Sequence, residues 1–234
     1  MLIPNNNLVF IAYKTGYCGS LIYALTALSP EVEPYRKFNN LKFADSTAHK
    51  AEERWIPKLH DYNGSLAFTT EQWESYLTPE IKTALLGQKL VVVRGHPNTA
   101  YKLSFIKNLK VIYVTTQDTY KFERWAYEKV YKKQGEDYYV NDLQRILKSN
   151  KMPTVNDTIK RNLLIRNFNH NLKSYEECVA VLKTPPHKLD LDQLLKQNYK
   201  TYTGLCDYLG ITPIEQDKFT EIIDNYNNKQ WKRF

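Results

Sequence analysis

The chain has 234 residues, which is enough for one α/β domain with a hydrophobic core and too few for two full-sized domains. Hydrophobic residues make up 42% of it and charged residues 25%, as in an ordinary soluble globular protein. No apolar run reaches the length of a membrane-spanning helix, so we expect no membrane span.

The net charge of +8 favours an anionic partner, although a solvated basic surface explains it equally well. No paired zinc ligands or aromatic RNA-binding signature accompany the charge, so a nucleic-acid partner is not expected. Cys18, Cys178 and Cys206 are odd in number and widely spaced, which indicates neither a disulfide framework nor a zinc site. With no signal-peptide pattern at the N-terminus, we expect reduced thiols and a cytoplasmic location.

The first predicted elements are a strand from Leu8 to Tyr13 and, after a short loop, a helix through SLIYALTALS. The strand is rich in branched and aromatic residues, and the helix is apolar at most positions, as expected of a helix packed on a sheet. Ser20 is the predicted N-cap of the helix, and Pro30 and Pro34 close it.

The middle of the chain begins with a predicted helix in TTEQWESYLTPEIKTALLG, with Thr70 as its cap and Gly87 as its stop. Two unbroken apolar runs follow, KLVVVRGHP and LKVIYVTT, and such runs are typical of buried strands in a parallel sheet. A long helix, DTYKFERWAYEKVYKKQ, is predicted directly after the second run.

The second half of the chain is mainly helical by its spacing, in VNDLQRILKS, NDTIKRNLLIRNF and KSYEECVAVLK. KLDLDQLLKQNYKTYTGLCDYLGITP predicts a short strand running into a helix that Gly210 and Pro213 end, and a last helix runs nearly to the C-terminus. The order of elements predicts one α/β domain over residues 1–234. Its parallel sheet of four to five strands is flanked by helices, as in P-loop-containing nucleotide hydrolases, with a helix-rich C-terminal half.

The loop between the first strand and its helix has the chemistry of an anion-binding site. A helix N-terminus presents backbone N–H groups and a positive dipole end, and glycines let the preceding backbone curl around a phosphate. Lysine adds a mobile charge, and hydroxyl side chains add donors. The candidate phosphate-binding residues are Lys14, Thr15, Gly16, Tyr17, Cys18, Gly19 and Ser20. The alternative is a tight strand-to-helix turn that binds nothing.

This loop lacks the ending of an ATP-binding P-loop. That motif requires a Lys and then a Ser or Thr after its last Gly, to reach the β- and γ-phosphates and Mg²⁺. Here Gly19 is followed by Ser20 and Leu21. The absence argues against a small-molecule or nucleotide kinase, and it favours a donor whose reacting group is not a metal-bound triphosphate. We expect no metal.

Three segments in order resemble the sulfotransferases. The first is AYKTGYCGSLIYAL, which is similar to the strand, Tyr-Pro-Lys-Ser-Gly-Thr-Thr loop and helix with which the family opens. Two alignments of the loop are possible: Lys14-Thr15-Gly16 matches Lys-Ser-Gly in one, and Gly19-Ser20 matches Gly-Thr in the other. The second contains three shorter matches, which follow in the same order as in the family. RGHP resembles Lys-Thr-His-Leu-Pro, LSF resembles Ser-Phe, and KNLKVIYV resembles Lys-Asn followed by a strand that ends in IYVARN. KLDLDQLLKQNYKTYTGLCDYLGI resembles a late segment ending in LCDFLGI.

The resemblance implies transfer of a sulfuryl group from 3′-phosphoadenosine 5′-phosphosulfate to a hydroxyl or amine. His96 stands at the position of the family's catalytic base, at the carboxyl end of a predicted strand, where open α/β sheets bind ligands. Lys14 is the residue placed to neutralise charge on the leaving phosphate. The alternatives are a loop His that bonds the backbone and a solvated Lys.

The sequence departs from the family where the donor's 3′-phosphate binds. The family's strand-end Arg is replaced by Thr116, and the following Ser by about Arg124, which would have to reach back from its helix. The implied acceptor is a carbohydrate or small hydroxylated molecule, and Lys50, Arg54, Arg161 and Arg166 would suit an anionic saccharide unless they are simply solvated. A catalytically degenerate anion-binding module of the same fold is the second interpretation.

Overall fold

A computed structural model describes residues 7–14, 17–33, 71, 74–75, 79–124 and 172–230. Its four strands are β1 (Leu8–Ala12), β2 (Val91–Gly95), β3 (Lys110–Thr115) and β4 (His187–Asp190). They form one sheet in the order β2-β1-β3-β4, and every pairing is parallel. The predicted α/β fold with a parallel sheet is confirmed, with four strands in the described part of the chain.

Seven helices have defined bounds in the described segments. They are α1 (Gly19–Ala27), α2 (Pro79–Leu86), α3 (Pro97–Lys102), α4 (Tyr175–Val181), α5 (Leu191–Leu195), α6 (Tyr199–Leu209) and α7 (Gln216–Gln230). Residues 119–124 are also helical. Parallel strands need crossover connections, and helices make the crossovers here.

The sheet separates two hydrophobic cores because successive strand residues point to opposite faces. Val9 and Ile11 of β1 face one core, which α1, α5, α6 and α7 cover. Leu8, Phe10 and Ala12 face the other, which α2, α3 and α4 cover. All five β1 residues are fully buried, so β1 is the centre of a three-layer structure.

The start of α1 differs from the prediction that Ser20 is its N-cap. Cys18 occupies that position, with φ 55° and ψ 29° in the left-handed region, and the helix begins at Gly19. The backbone reverses at Cys18, so Ser20 already lies in the first turn. Its hydroxyl accepts a hydrogen bond from Arg94 instead of capping the helix.

The single helix predicted after β4 is two helices, α5 and α6. Gln197 has φ 62°, and this left-handed residue breaks the helix between Leu195 and Tyr199. The predicted stop at Gly210 is correct, because Gly210 takes φ 73° as the C-cap of α6. Glycine accepts that conformation without a steric penalty.

Several predictions fall outside the described residues. They include Pro34, Thr70, the predicted helices VNDLQRILKS and NDTIKRNLLIRNF, and most of the predicted helix DTYKFERWAYEKVYKKQ. The basic acceptor-side candidates Lys50, Arg54, Arg161 and Arg166 also lie there.

Candidate functional site

The carboxyl ends of β1 and β3 define the candidate site. The chain after β1 next enters the sheet as β2 on one side, whereas the chain after β3 enters it as β4 on the other side. Connections that leave two neighbouring strands in opposite directions open a crevice between them, where α/β sheets bind ligands. The β1–α1 loop and residues 116–118 therefore border the crevice.

The β1 side of the crevice is the N-terminus of α1. The side chain of Cys18 makes no capping hydrogen bond within the described residues, and no acidic residue lies in the first helical turn. The Cys18 carbonyl accepts from the N–H groups of Leu21 and Ile22. The backbone N–H groups at the start of α1 and its dipole give this side a positive potential.

Arg94 adds a buried positive charge under this helix end. It belongs to β2, is only 8% exposed, and shares the face of Val92 toward α1. Its Nη1 donates to Ser20 Oγ at 2.7 Å and more weakly to Tyr13 Oη at 3.4 Å. Arg94 was not among the site residues predicted from the sequence, although an Arg within an apolar strand is a usable signal.

Tyr13 connects these groups to His96. Its N–H donates to the Gly95 carbonyl at 3.0 Å, so the β1–β2 pairing extends one residue past β1. The centroid of the Tyr13 ring is 6.0 Å from that of His96 and 5.7 Å from Arg94 Cζ. A Cβ added to Gly19 would lie 2.5 Å from Tyr13 Cδ1, so the ring rests directly on the first residue of α1.

His96 lies at the carboxyl end of β2, as predicted, and is the N-cap residue of α3. Its carbonyl accepts from the Thr99 N–H at 2.9 Å, while its side chain makes no capping hydrogen bond within the described residues. The imidazole is half-buried next to Tyr13. The fold thus places His96, Arg94 and the start of α1 around one tyrosine ring.

Helix α7 packs against the start of α1 through Tyr226. Tyr226 of α7 is 6% exposed. Burial, foremost, and a hydrogen bond with the Cys18 thiol raise its pKa, and the nearby Arg94 charge acts in the opposite direction. Tyr226 therefore contacts the residue that turns the chain into α1.

The β3 side of the crevice carries a carboxylate. Asp192 Oδ2 accepts from Thr116 Oγ1 and from the Gln117 N–H, each at 2.7 Å. Thr116 Oγ1 in turn accepts from the Asp118 N–H at 3.1 Å. Thr116 was predicted from the sequence and Asp192 was not, because Asp192 lies 76 residues away from Thr116 in a segment with an ordinary helical pattern.

Tyr17 lies between the two sides of the crevice. It is 2% exposed, and its ring packs on Phe122 with the centroids 5.8 Å apart. Its hydroxyl has no hydrogen-bond partner in the described part of the chain. Burial raises the pKa of this hydroxyl most, and the charges of Glu123 and Asp192 raise it further.

The remaining predicted residues are placed as follows. The Lys14 carbonyl accepts from the Tyr17 N–H at 2.9 Å, and the Lys14 side chain is partly exposed. Thr15 and Gly16 lie outside the described residues, so the two alignments of the loop both stay predictions. Arg124 is an exposed residue of the helical segment 119–124.

The described segments contain no cluster of three or more His, Cys, Asp or Glu side chains arranged to hold a metal ion. None of their helices is both long and apolar enough to cross a membrane.

The fold matches solved structures along nearly the whole chain. A crystal structure of a sulfotransferase from Alicyclobacillus acidocaldarius superposes with a TM-score of 0.54 and 11% identity, covering 98% of this chain and 93% of that one. The sulfotransferase domain of the Synechococcus PCC 7002 olefin synthase gives 0.45 and 15%, covering 91% and 76%. Retinol dehydratase, in complex with androsterone and the inactive cofactor PAP, gives 0.37 and 12%, covering 97% and 66%.

No protein-family model and no curated protein matches the sequence. At these sequence identities the similarity concerns the fold alone. The evidence for the shared fold is the match to the Alicyclobacillus structure, whose TM-score is 0.54.

Proposed function

Because this chain has the fold of the sulfotransferases, we propose that it transfers a sulfuryl group from a nucleotide phosphosulfate to a hydroxyl or amine. The observation that carries the proposal is the arrangement at the ends of β1 and β2. There the start of α1, the buried Arg94 and the half-buried His96 surround Tyr13.

The positive side of the crevice suits the 5′ end of the donor. The N–H groups at the start of α1 and the charges of Lys14 and Arg94 would bind the phosphate that leaves when the sulfuryl group is transferred. Charge develops on that phosphate as the bond between sulfur and its bridging oxygen breaks. Fixed positive groups that face this charge lower the barrier.

His96 is the residue we propose as general base. The acceptor oxygen or nitrogen attacks sulfur with a lone pair, the phosphate leaves with the electrons of the broken S–O bond, and the imidazole takes the acceptor's proton. Because His96 directly follows β2 and its ring lies next to Tyr13, it is close to the loop that would bind the leaving phosphate. The acceptor we propose is a carbohydrate or another small hydroxylated molecule.

The first test replaces the base without disturbing the fold. We expect His96→Asn to lower turnover roughly 10²- to 10⁴-fold, because the amide cannot take the proton, while Asn remains a good N-cap for α3. Turnover is measured as transfer of labelled sulfate from adenosine 5′-phosphosulfate and from its 3′-phosphorylated form to a panel of sugars, phenols and amines. Nucleotide binding is measured by thermal shift.

The control is His187→Asn, the same exchange at a histidine that stacks on Tyr208 with centroids 5.1 Å apart. We expect it to keep its turnover at temperatures below its own unfolding transition. Wild-type protein that transfers sulfate from neither donor would contradict the proposal. If His96→Asn keeps its turnover, His96 is not the base.

A catalytically degenerate anion-binding module is the second candidate. The carboxylate of Asp192 at the end of β3 favours it, since the family's strand-end Arg has no counterpart there. This candidate predicts nucleotide binding by thermal shift with no sulfate transfer from either donor.

A further inference from the structure

The two sides of the crevice differ in the charged groups that they bring to it. The β1 side has the start of α1 and Arg94, while the β3 side has the carboxylates of Asp192 and Glu123. Glu123 is only 9% exposed, so its charge is close to the protein interior. A ligand that spans the crevice would therefore meet positive groups at one end and hydrogen-bond acceptors at the other.

Two hydrogen-bond donors at the end of β3, the Thr116 hydroxyl and the Gln117 N–H, could have bound an anion, but they already bind a carboxylate. Asp192 accepts from both the Thr116 hydroxyl and the Gln117 N–H at 2.7 Å. A phosphate there would have to displace Asp192 or lie against it. Like charges that close, in a partly buried site, disfavour binding strongly.

The unsatisfied hydroxyl of Tyr17 is an independent sign of a ligand on this side. It is nine-tenths buried or more, and no described residue accepts its proton. Buried hydroxyls are nearly always hydrogen-bonded, so such a group is a candidate ligand contact. The ring packs on Phe122, next to Glu123 in the helical segment at the β3 side.

We propose that the β3 side of the crevice binds an unmodified ribose, with Asp192 accepting from a ribose hydroxyl and Tyr17 donating to a ribose oxygen. The preferred donor would then be a nucleoside 5′-phosphosulfate with a free 3′-hydroxyl, and a 3′-phosphate is disfavoured. This inference rests on the proposed function, because it places the donor's 5′ end at α1.

The chemistry of the two groups explains the preference. A carboxylate at the end of a strand is a common acceptor for ribose hydroxyls in nucleotide-binding α/β folds. An Arg in the place of Thr116 would favour a 3′-phosphate by its charge, whereas Asp192 opposes one by its charge. Asp192 thus becomes the residue that determines specificity at the 3′ position.

The test compares two probes on the full chain by isothermal titration calorimetry. They are adenosine 5′-monophosphate and adenosine 3′,5′-bisphosphate. We expect the monophosphate to bind about tenfold more tightly or better, because repulsion from Asp192 acts on the 3′-phosphate alone. Asp192→Asn removes the charge and keeps an acceptor, so it should raise bisphosphate affinity about tenfold and change monophosphate affinity less than about threefold.

The matched control is Asp207→Asn, an exposed carboxylate two residues before Leu209. The Leu209 carbonyl accepts from Lys110 Nζ at the first residue of β3, so this end of α6 lies at the opposite edge of the sheet. We expect this variant to keep the wild-type preference. A second variant, Tyr17→Phe, should weaken binding of the monophosphate because it removes the donor to the ribose.

The outcomes separate the two proposals. If wild-type protein binds the bisphosphate as tightly as the monophosphate or more tightly, the inference about the ribose is wrong and the sulfotransferase proposal stands. If neither nucleotide binds, both are wrong. If Asp192→Asn does not fold, the wild-type affinity ratio and Tyr17→Phe still decide.

Discussion

At the scale of single residues, the candidate site depends on Gly19. The Tyr13 ring lies where a side chain at position 19 would be, with three of its carbons 2.5–2.7 Å from the added Cβ. The same ring contacts His96 and Arg94. The absence of a side chain at Gly19 therefore sets how closely α1 approaches the end of β2.

We predict that Gly19→Ala lowers the free energy of unfolding by about 1–3 kcal/mol, because the ring must move or the helix must shift. Urea denaturation measures the loss, and nucleotide binding should weaken with it. The control is Gly204→Ala within α6, where an added Cβ meets nothing within 4 Å. That variant should gain about 0.5–1 kcal/mol, since alanine favours a helix interior over glycine. Equal effects at both positions would contradict this account of Gly19.

At the scale of elements, the helix at the candidate site, α1, is capped differently from α4 and α5. The α4 helix has a full capping box, in which Ser174 Oγ accepts from the Glu177 N–H at 3.1 Å and Glu177 Oε2 accepts from the Ser174 N–H at 2.7 Å. The Asp190 side chain caps α5 through the Gln193 N–H. The start of α1 has no such side chain in the described residues, which leaves its first turn facing the crevice.

We predict that Ser174→Ala destabilises the protein by about 1 kcal/mol through loss of the α4 cap. Ser174→Asp should retain most of the stability, because its carboxylate can accept from the same N–H group. Thermal unfolding of the two variants checks this, and nucleotide binding should be unchanged in both since α4 packs on the far face of the sheet. If Ser174→Asp is as unstable as Ser174→Ala, the cap is not the reason.

At the scale of the whole molecule, Glu31 links segments that are far apart in sequence. Its carboxylate accepts from the Ser29 hydroxyl, the Thr212 hydroxyl at 2.6 Å and the Thr212 N–H at 3.1 Å. Its backbone pairs with Leu90 just before β2. The ends of α1 and α6 and the start of β2 thus meet at one residue.

The hydrogen bond from Ser29, followed by those from Thr212, lowers the pKa of Glu31 from 4.5 to about 2. A carboxyl with a depressed pKa in the folded state stabilises the fold fully above its unfolded pKa, and this contribution is lost as the pH falls toward the folded pKa. We therefore predict that Glu31→Gln is less stable than wild type at pH 7 and that the difference shrinks between about pH 4.5 and pH 2.

Urea midpoints measured across that pH range test the prediction for Glu31. Glu215→Gln, at an exposed carboxylate, is the control, and it should follow the wild-type curve. A difference between Glu31→Gln and wild type that stays constant down to pH 2 would show that the Glu31 charge is not responsible.

The local elements of this protein could be predicted from its amino-acid pattern. Apolar runs predicted β1, β2 and β3, because a strand that is covered on both faces has apolar residues at nearly every position. The position of Gly210 predicted the end of α6, and the strand-loop-helix pattern predicted where α1 follows β1. The N-cap of α1 was misplaced by two residues, at Ser20 instead of Cys18, because the left-handed turn at Cys18 leaves no signal in a non-glycine residue.

The tertiary structure alone decided the charge pattern of the candidate site. Arg94 contacts Ser20 across 74 residues, and Asp192 contacts Thr116 across 76, so neither pairing has a local signal. Both depend on the strand order β2-β1-β3-β4, which places β1 between its two parallel neighbours and brings all the strand ends to one edge. Strand order follows from the packing of the crossover helices on the two faces, and that packing is a property of the whole chain rather than of any segment.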